Sequence, residues 1–369
     1  MLGKYGWGLR LVWGAVLALA IGSCSKDAAE QTETAEDVNV FLSDSAAADP
    51  AARLQSLNRQ LEMNPGDYTL YQQRAVTYYE LDSLQKAIND IETGISLFRN
   101  SPDLHYWRGF FAFTVNDTAK AMAEYQAAAG LGSKSPETFY QMGQIYFFQG
   151  NDQLAFEMYD KAIALNDSDP LYIFAKGFLE ERRRKHSAAI KFYLRSLELD
   201  PGFDKALIRL HDLYLEHYEN ETEAVKYLDE LLAVNPGHSL ARFYKGNYYF
   251  RRAMNVYNES QMELFRTRIN ESVAEYTISI NRDPAYAQAW YNRGYCYFLA
   301  DRHQEAMKDF EECLKNNPAH VSAAFMLGSI YEYFKDYKTA LYYYQISLKN
   351  KPDYADAQKA VKEMQEKMK

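Results

Sequence analysis

The sequence predicts an all-α chain in which short helical pairs stack one after another as a solenoid. Two observations predict it. First, Pro284, Pro318 and Pro352 stand 34 residues apart, and Gly294/Gly328, Tyr297/Tyr331, Ala306/Ala340 and Phe310/Tyr344 share that offset. Second, the small-residue columns continue upstream, as Ala75, Gly109, Gly143, Gly177, His211 and Gly246, and as Ala87, Ala121, Ala155, Ala189, Ala224 and Ser272. A fixed period of this length means that each unit buries its apolar face only on its neighbours. Gly and Ala let two antiparallel helices approach, the rings fill the groove between them, and each Pro stops a helix and resets the chain.

Trp290, Gly294, Tyr297, Ala306, Phe310 and Pro318 fit the pattern W-x2-L-G-x2-Y…A-x3-F…P, except that Arg293 stands where the pattern has Leu. The repeats therefore resemble the tetratricopeptide repeat (TPR) family. The resemblance covers about four-fifths of the chain. It implies a right-handed superhelical solenoid of about eight helix-turn-helix units, with capping helices at both ends.

Taken in order, the chain opens with Lys4 and Arg10, which precede an uncharged run from Leu11 to Ile21. Eleven residues are too few for a membrane-spanning helix, which needs about 20, and the pattern reads as a secretory signal over 1–23. Ile21-Gly22-Ser23-Cys24 resembles a lipobox, which implies cleavage before Cys24 and its diacylation. Two or three acyl chains hold a protein on a membrane where one would not. Ser25, rather than Asp, follows Cys24, which in similar lipoproteins implies the outer membrane; Ser25-Lys26-Asp27 resembles the acidic tags of some surface lipoproteins. Residues 24–49 then read as an acidic tether, with one Lys, seven acidic residues and Phe41 as its only ring. Val38 to Leu42 is a small apolar island, either a docking segment or less polar linker.

Pro50 opens a capping helix within 50–67, stopped by Asn64-Pro65-Gly66. The array runs over 68–354, with units starting at Tyr68, Pro102, Pro136, Pro170, Asp204, Ser239, Ala287 and Val321. His211 interrupts the glycine column, so unit five should show a wider helix spacing. Unit six is 48 residues long, 14 more than its neighbours, with the excess around 255–270. That stretch lacks Pro and Gly and carries Met262, Phe265 and Ile269. It reads as two helices each lengthened by about two turns, with a long loop as the alternative. Residues 355–369 read as a C-terminal capping helix.

Net charge is −9, and without the two leader cations 39 basic residues face 50 acidic ones. No basic stripe stands out, which excludes the usual nucleic-acid footprint. There is no H-E-x-x-H, G-x-S-x-G or phosphate loop, so neither an enzyme nor a metal or cofactor site is expected. Gly130-Leu131-Gly132 reads as a junction turn. Cys296 and Cys313 lie in the two helices of unit seven, either as buried small hydrophobes or as a disulfide.

In superhelical arrays similar to TPR domains the first helix of each unit lines the concave face. That geometry implies a partner-binding groove of Tyr106, Phe110, Phe113, Tyr140, Phe147, Phe174, Phe178, Phe243, Asn247, Tyr291, Asn292, Tyr295, Phe298 and Phe325. An aromatic groove suits an extended peptide or a partner helix. Asn247 and Asn292 fall at the two Asn places of a carboxylate clamp, but its cationic places hold Phe243, Ser322 and Met326, so a clamp is not expected. The expected function is a membrane-anchored scaffold for envelope proteins, with a glycan-binding lipoprotein as the alternative. Asp44-Ser45-Ala46, Asp82-Ser83-Leu84 and Asp117-Thr118-Ala119 resemble D-[S/T]-apolar O-glycosylation acceptors of some envelope proteins, and the last two also sit where a helix N-cap belongs.

Overall fold

The computed structural model describes residues 49–369; the leader, Cys24 and nearly all of the tether lie outside them. Eighteen α-helices and one 3-10 turn, with no strand, make up the described residues. The chain divides into two compact units after Leu199. The first holds α1 (Pro50–Met63), α2 (Tyr68–Glu80), α3 (Leu84–Leu97), α4 (Pro102–Thr114), α5 (Thr118–Gly130), α6 (Pro136–Phe148), α7 (Asp152–Leu165), α8 (Pro170–Arg182) and α9 (His186–Leu199). The second holds α10 (Asp204–Glu216), α11 (Glu221–Val234), α12 (Ser239–Asn255), α13 (Met262–Arg282), α14 (Ala287–Leu299), α15 (His303–Asn316), α16 (Val321–Tyr333), α17 (Tyr337–Asn350) and α18 (Ala355–Lys367). Within each unit successive helices pack pairwise, in a TPR-like solenoid.

The helix starts follow from capping chemistry. Pro50, Pro102, Pro136 and Pro170 each take the first helical position, where a missing N–H costs nothing. Asp67 and Asp169 accept from Thr69 N–H and Leu171 N–H, both at 2.9 Å. At the second helices Asp117, Asn151, Asn220 and Asp336 accept from the N–H three residues on, at 3.0–3.4 Å. Ser83 holds the same place at α3 and makes no cap bond; its hydroxyl donates to Leu81 O at 3.3 Å instead. The residue before each cap is left-handed: Asp82, Asn116, Gly150, Arg184, Glu219, Asp301 and Lys335 have φ between 49° and 75°. Only one of the seven is glycine.

Six pairs are closed by a ring on the second helix set against a glycine of the first. A methyl group on Gly143 would lie 2.5 Å from the Tyr159 ring; on Gly109, 2.8 Å from Tyr125; on Gly177, 2.7 Å from Tyr193; on Gly246, 2.5 Å from Tyr276; and on Gly328, 2.6 Å from Tyr344. All five tyrosines are fully buried, as are the alanines of the second column. His211 is buried too, and its ring stacks on Tyr244 of α12 at 4.7 Å.

Arg293, the departure from the repeat pattern, makes a two-pronged bond to Asp309 of α15, 2.8 Å on each arm, and its third nitrogen reaches Thr277 Oγ1 of α13 at 3.0 Å. Arg74 does the same at the other end of the chain, with Asp90 at 2.6 Å and Asn58 at 2.9 Å. Arg108 pairs with Glu124, also 16 residues on. The lysines at this place turn the other way: Lys176 meets Asp160 at 2.5 Å, and Lys245 meets Asp229, each 16 residues back. The guanidinium fork can span two second helices at once, and the single ammonium serves one.

Unit six corrects the expectation of two equal extensions. α12 has 17 residues, four more than the other first helices, and α13 has 21, seven more than most second helices. The remaining residues form Val256–Asn258 and a 3-10 turn, Glu259–Gln261. Phe265 and Ile269 carry the buried stripe of α13 outward, while Tyr257 covers Phe265 at 4.8 Å and closes the hairpin over a shorter α12. At the ends, Leu57 and Leu61 of α1, and Ala357, Ala360 and Met364 of α18, bury one face of each capping helix.

Two outcomes test this packing. Gly143→Ala drives a methyl into Tyr159 and should cost about 1–3 kcal/mol by denaturant titration, whereas Gly130→Ala, with nothing within 4 Å, should be neutral or stabilise by about 0.5–1 kcal/mol. Arg293→Leu restores the repeat pattern yet strands buried Asp309, so it should cost about 3–5 kcal/mol, with Asp309→Asn in the same chain recovering much of that loss.

Candidate functional site

The first helices carry the predicted groove residues. Phe113, Phe178, Phe298 and Asn247 are partly exposed. Tyr106, Phe110, Tyr140, Phe147, Phe174, Phe243, Tyr291, Asn292, Tyr295 and Phe325 are buried. The physical reason is ring-on-ring packing between neighbouring first helices. In the first unit Tyr79 meets Phe110 at 5.6 Å, Tyr140 meets Tyr172 at 5.4 Å, and Phe147 meets Phe178 at 5.4 Å. In the second unit Phe250 meets Tyr295 at 5.9 Å, which stacks on Tyr291 and Phe298, each at 6.3 Å. Phe243 is covered by Tyr286 at 4.9 Å and Phe325 by Tyr354 at 5.1 Å. The first-helix face is thus a packed aromatic layer, with Phe113 and Phe178 partly exposed in one unit and Phe298 in the other.

Asn247 and Asn292 come together and serve each other. Asn292 Nδ2 donates to Asn247 Oδ1 at 2.9 Å, Tyr276 OH donates to the same oxygen at 2.6 Å, and Gln288 Nε2 donates to Asn292 Oδ1 at 2.8 Å. The Asn292 amide is thereby consumed inside the layer; only Asn247 keeps exposed surface.

The ring column hides a polar code that sequence reading missed. Tyr159 OH donates to Gln144 at 3.1 Å, Tyr276 to Asn247, and Tyr344 to Ser329 at 3.3 Å and Glu332 at 2.8 Å; Tyr193 donates to Glu181 at 2.6 Å. The acceptors stand 15 or 12 residues before each tyrosine, or 29 across the enlarged unit. For Tyr125 those places are Phe110 and Phe113, which accept nothing, and its buried hydroxyl has no partner. The signal was present in the sequence, but the spacing has meaning only once helix register is known.

Two first helices are capped by histidine. His320 Nδ1 accepts from Ala323 N–H at 3.1 Å while Nε2 faces Gln288 Oε1 at 3.3 Å, and its ring lies 4.6 Å from Tyr291. Burial pushes the His320 imidazolium below its ordinary range. His238 caps α12 in the same way, through Ala241 N–H at 3.2 Å. At the rim of this patch His303 touches Phe298, Tyr333 and Phe334, and the last two rings are 67% and 47% exposed. Cys296 and Cys313 are free and buried, and burial lifts both thiols to about 12, which leaves them inert. No group of side chains suited to a metal ion occurs among the described residues.

Comparison with known proteins bears on this arrangement. Tetratricopeptide-repeat family models match residues 136–169, 287–320 and 304–355. The chain carries tetratricopeptide repeats. Among solved structures, yeast Tom70 is similar over 78% of this chain and 59% of its own, at 15% identity and a TM-score of 0.56. YrrB, a TPR protein with an unusual peptide-binding site, aligns over 51% of this chain and 96% of its own, at 21% identity and a TM-score of 0.41. The C-terminal part of a TPR repeat-containing protein from Cytophaga hutchinsonii aligns over 65% and 93%, at 20% identity and a TM-score of 0.45. A search of curated proteins returned no match. The TPR repeats agree with a protein–protein interaction scaffold.

Tyr125→Phe removes an orphan hydroxyl and should leave stability unchanged or raise it by up to about 1 kcal/mol, whereas Tyr276→Phe should cost about 1–2 kcal/mol; thermal melts of the two variants check this. For His320 the unfolded chain takes up a proton near pH 6.5 that the folded chain resists. Stability should therefore fall as pH drops below about 6.5, and His320→Asn, which retains a capping acceptor, should flatten the dependence of Tm on pH.

Proposed function

We propose that this chain is a lipid-anchored scaffold of a bacterial envelope that holds a peptide or helix of a partner protein against its first-helix rings. The observation that carries the reading is the packed aromatic layer with Phe113, Phe178 and Phe298 partly exposed at its surface. Rings already fixed by their neighbours lose little conformational freedom on binding, which makes them efficient anchors. The lipobox at Ile21-Gly22-Ser23-Cys24 supports acylation at Cys24 and residence at the outer membrane, on its periplasmic face or at the cell surface. No helix among the described residues is long and apolar enough to cross a membrane. Support of an envelope assembly or secretion complex fits an anchored scaffold.

A second reading is favoured by Tyr333 and Phe334, whose rings lie 5.3 Å apart and stand open to solvent. Such a pair can stack on the apolar face of a sugar, so glycan binding is the alternative; binding to a glycan array that disappears in Tyr333→Ala would select it.

For the scaffold, a photo-reactive residue at Phe113 should cross-link one or more proteins in solubilised membranes. Phe178→Ser with Phe298→Ser should cut that capture at least about tenfold, since anchor truncations cost more than 1 kcal/mol each, with helix content unchanged by circular dichroism. Absence of any protein adduct would overturn the reading.

A further inference from the structure

Two carboxylates stand at the same place of neighbouring first helices. Asp103 and Glu137 are the second residues of α4 and α6, and both are half-buried. Each is held by hydroxyls. Tyr68 OH of α2 donates to Asp103 at 3.3 Å, and Tyr172 OH of α8 donates to Glu137 at 3.0 Å. Ser135 OH donates to the other oxygen of Glu137. A hydroxyl orients a carboxylate and leaves its charge in place. The cations of α4 do not neutralise it, because His105 and Arg108 both turn to Glu124. The same place in the other first helices holds Thr69, Leu171, Lys205, Leu240, Gln288 and Ser322, so the charge belongs to the first compact unit.

Rings line this charge. Tyr140 lies 5.4 Å from Tyr172, and Tyr106 and Tyr140 are themselves buried in the first-helix layer. Burial first, and then Glu137, lifts the Tyr106 and Tyr172 phenols above their ordinary range, so both rings lie in the field of that carboxylate. Tyr106 in turn lies 5.7 Å from Tyr125, whose fully buried hydroxyl has no partner. An uncompensated carboxylate among phenol rings suits a cation: the carboxylate supplies the counter-charge and the ring faces add to it. A neutral or acidic segment laid here would strip water from Glu137 and return nothing.

We infer that the first-helix face of the first compact unit selects a partner segment bearing lysine or arginine, whose cationic head seats on Glu137 against Tyr106, Tyr140 and Tyr172. Asp103, one repeat away, takes a second basic residue of the same extended segment. The apolar stem of each basic side chain lies along the rings while its head meets the carboxylate. The inference rests on the scaffold reading and adds the chemical class of its partner.

The test uses the full-length protein in a neutral detergent and four fluorescent peptides, Gly-Leu-X-Leu-X-Leu-Gly with X as Lys, Arg, norleucine or Glu. By anisotropy the Lys and Arg peptides should bind at least about tenfold more tightly than the norleucine peptide. The Glu peptide should bind more weakly still, and the preference should shrink as salt is raised. Glu137→Gln keeps an acceptor for the Tyr172 hydroxyl and removes the charge; it should erase most of the preference with the thermal melt unchanged. Asp103→Asn, which keeps the Tyr68 bond, should lower the preference as well. Equal binding of the Lys and norleucine peptides, or a preference that survives both variants, overturns the inference and leaves the scaffold reading standing. If none of the four peptides binds, the inference falls, and the adduct at Phe113 alone decides the scaffold.

Discussion

Six of the helix pairs depend on one steric fit: a tyrosine or phenylalanine ring of the second helix lying on a position of the first helix that carries no side chain. At Gly143 and Gly246 there is no room for even a methyl group beside Tyr159 and Tyr276. The fit sets the distance between the two helices, and that distance decides which first-helix residues the ring hydroxyl can reach. Gln144, Asn247 and Ser329 are held in place from behind by hydroxyls that enter through the crossing. The close approach that makes the repeat therefore also orients the polar groups on the first-helix face.

The period was legible because proteins have few ways to let two helices touch, and Gly, Ala and a bulky ring at fixed offsets record one of them. The groove was legible only as a set of positions. Sequence places Tyr291, Tyr295 and Phe298 on one face of a helix, but whether a ring is surface or core depends on what the adjacent helix brings against it. Phe250 covers Tyr295, whereas Phe298, which meets His303, stays partly exposed. The two asparagines illustrate the same gap. Their spacing suggested amides turned toward a ligand, yet they bond to each other, because the enlarged unit still delivers Asn247 to the side of Asn292.

The ion pairs were illegible for another reason. A separation of 16 residues has no meaning within one helix; it acquires one when a helix packs antiparallel to the next. Arg293 looked like a flaw in the repeat pattern and proves to be one member of a set with Arg74 and Arg108, while Lys176 and Lys245 reach backward over the same interval. The left-handed turns escaped notice because Arg184, Glu219 and Lys335 occupy them where glycine would be the easier residue. The backbone there is imposed by the helices on either side, which leave no other path for a connection this short.

Every tie described here, from the Tyr159 hydroxyl to the Arg293 fork, joins a helix to the next one or the next but one in the chain. Such a chain has low contact order and needs no distant partner to begin folding, so order can nucleate at several places and spread in both directions. The same locality makes damage regional. A substitution at one crossing should loosen its own pair and fray the next while other repeats stay shut, so calorimetry would record overlapping steps rather than one sharp transition.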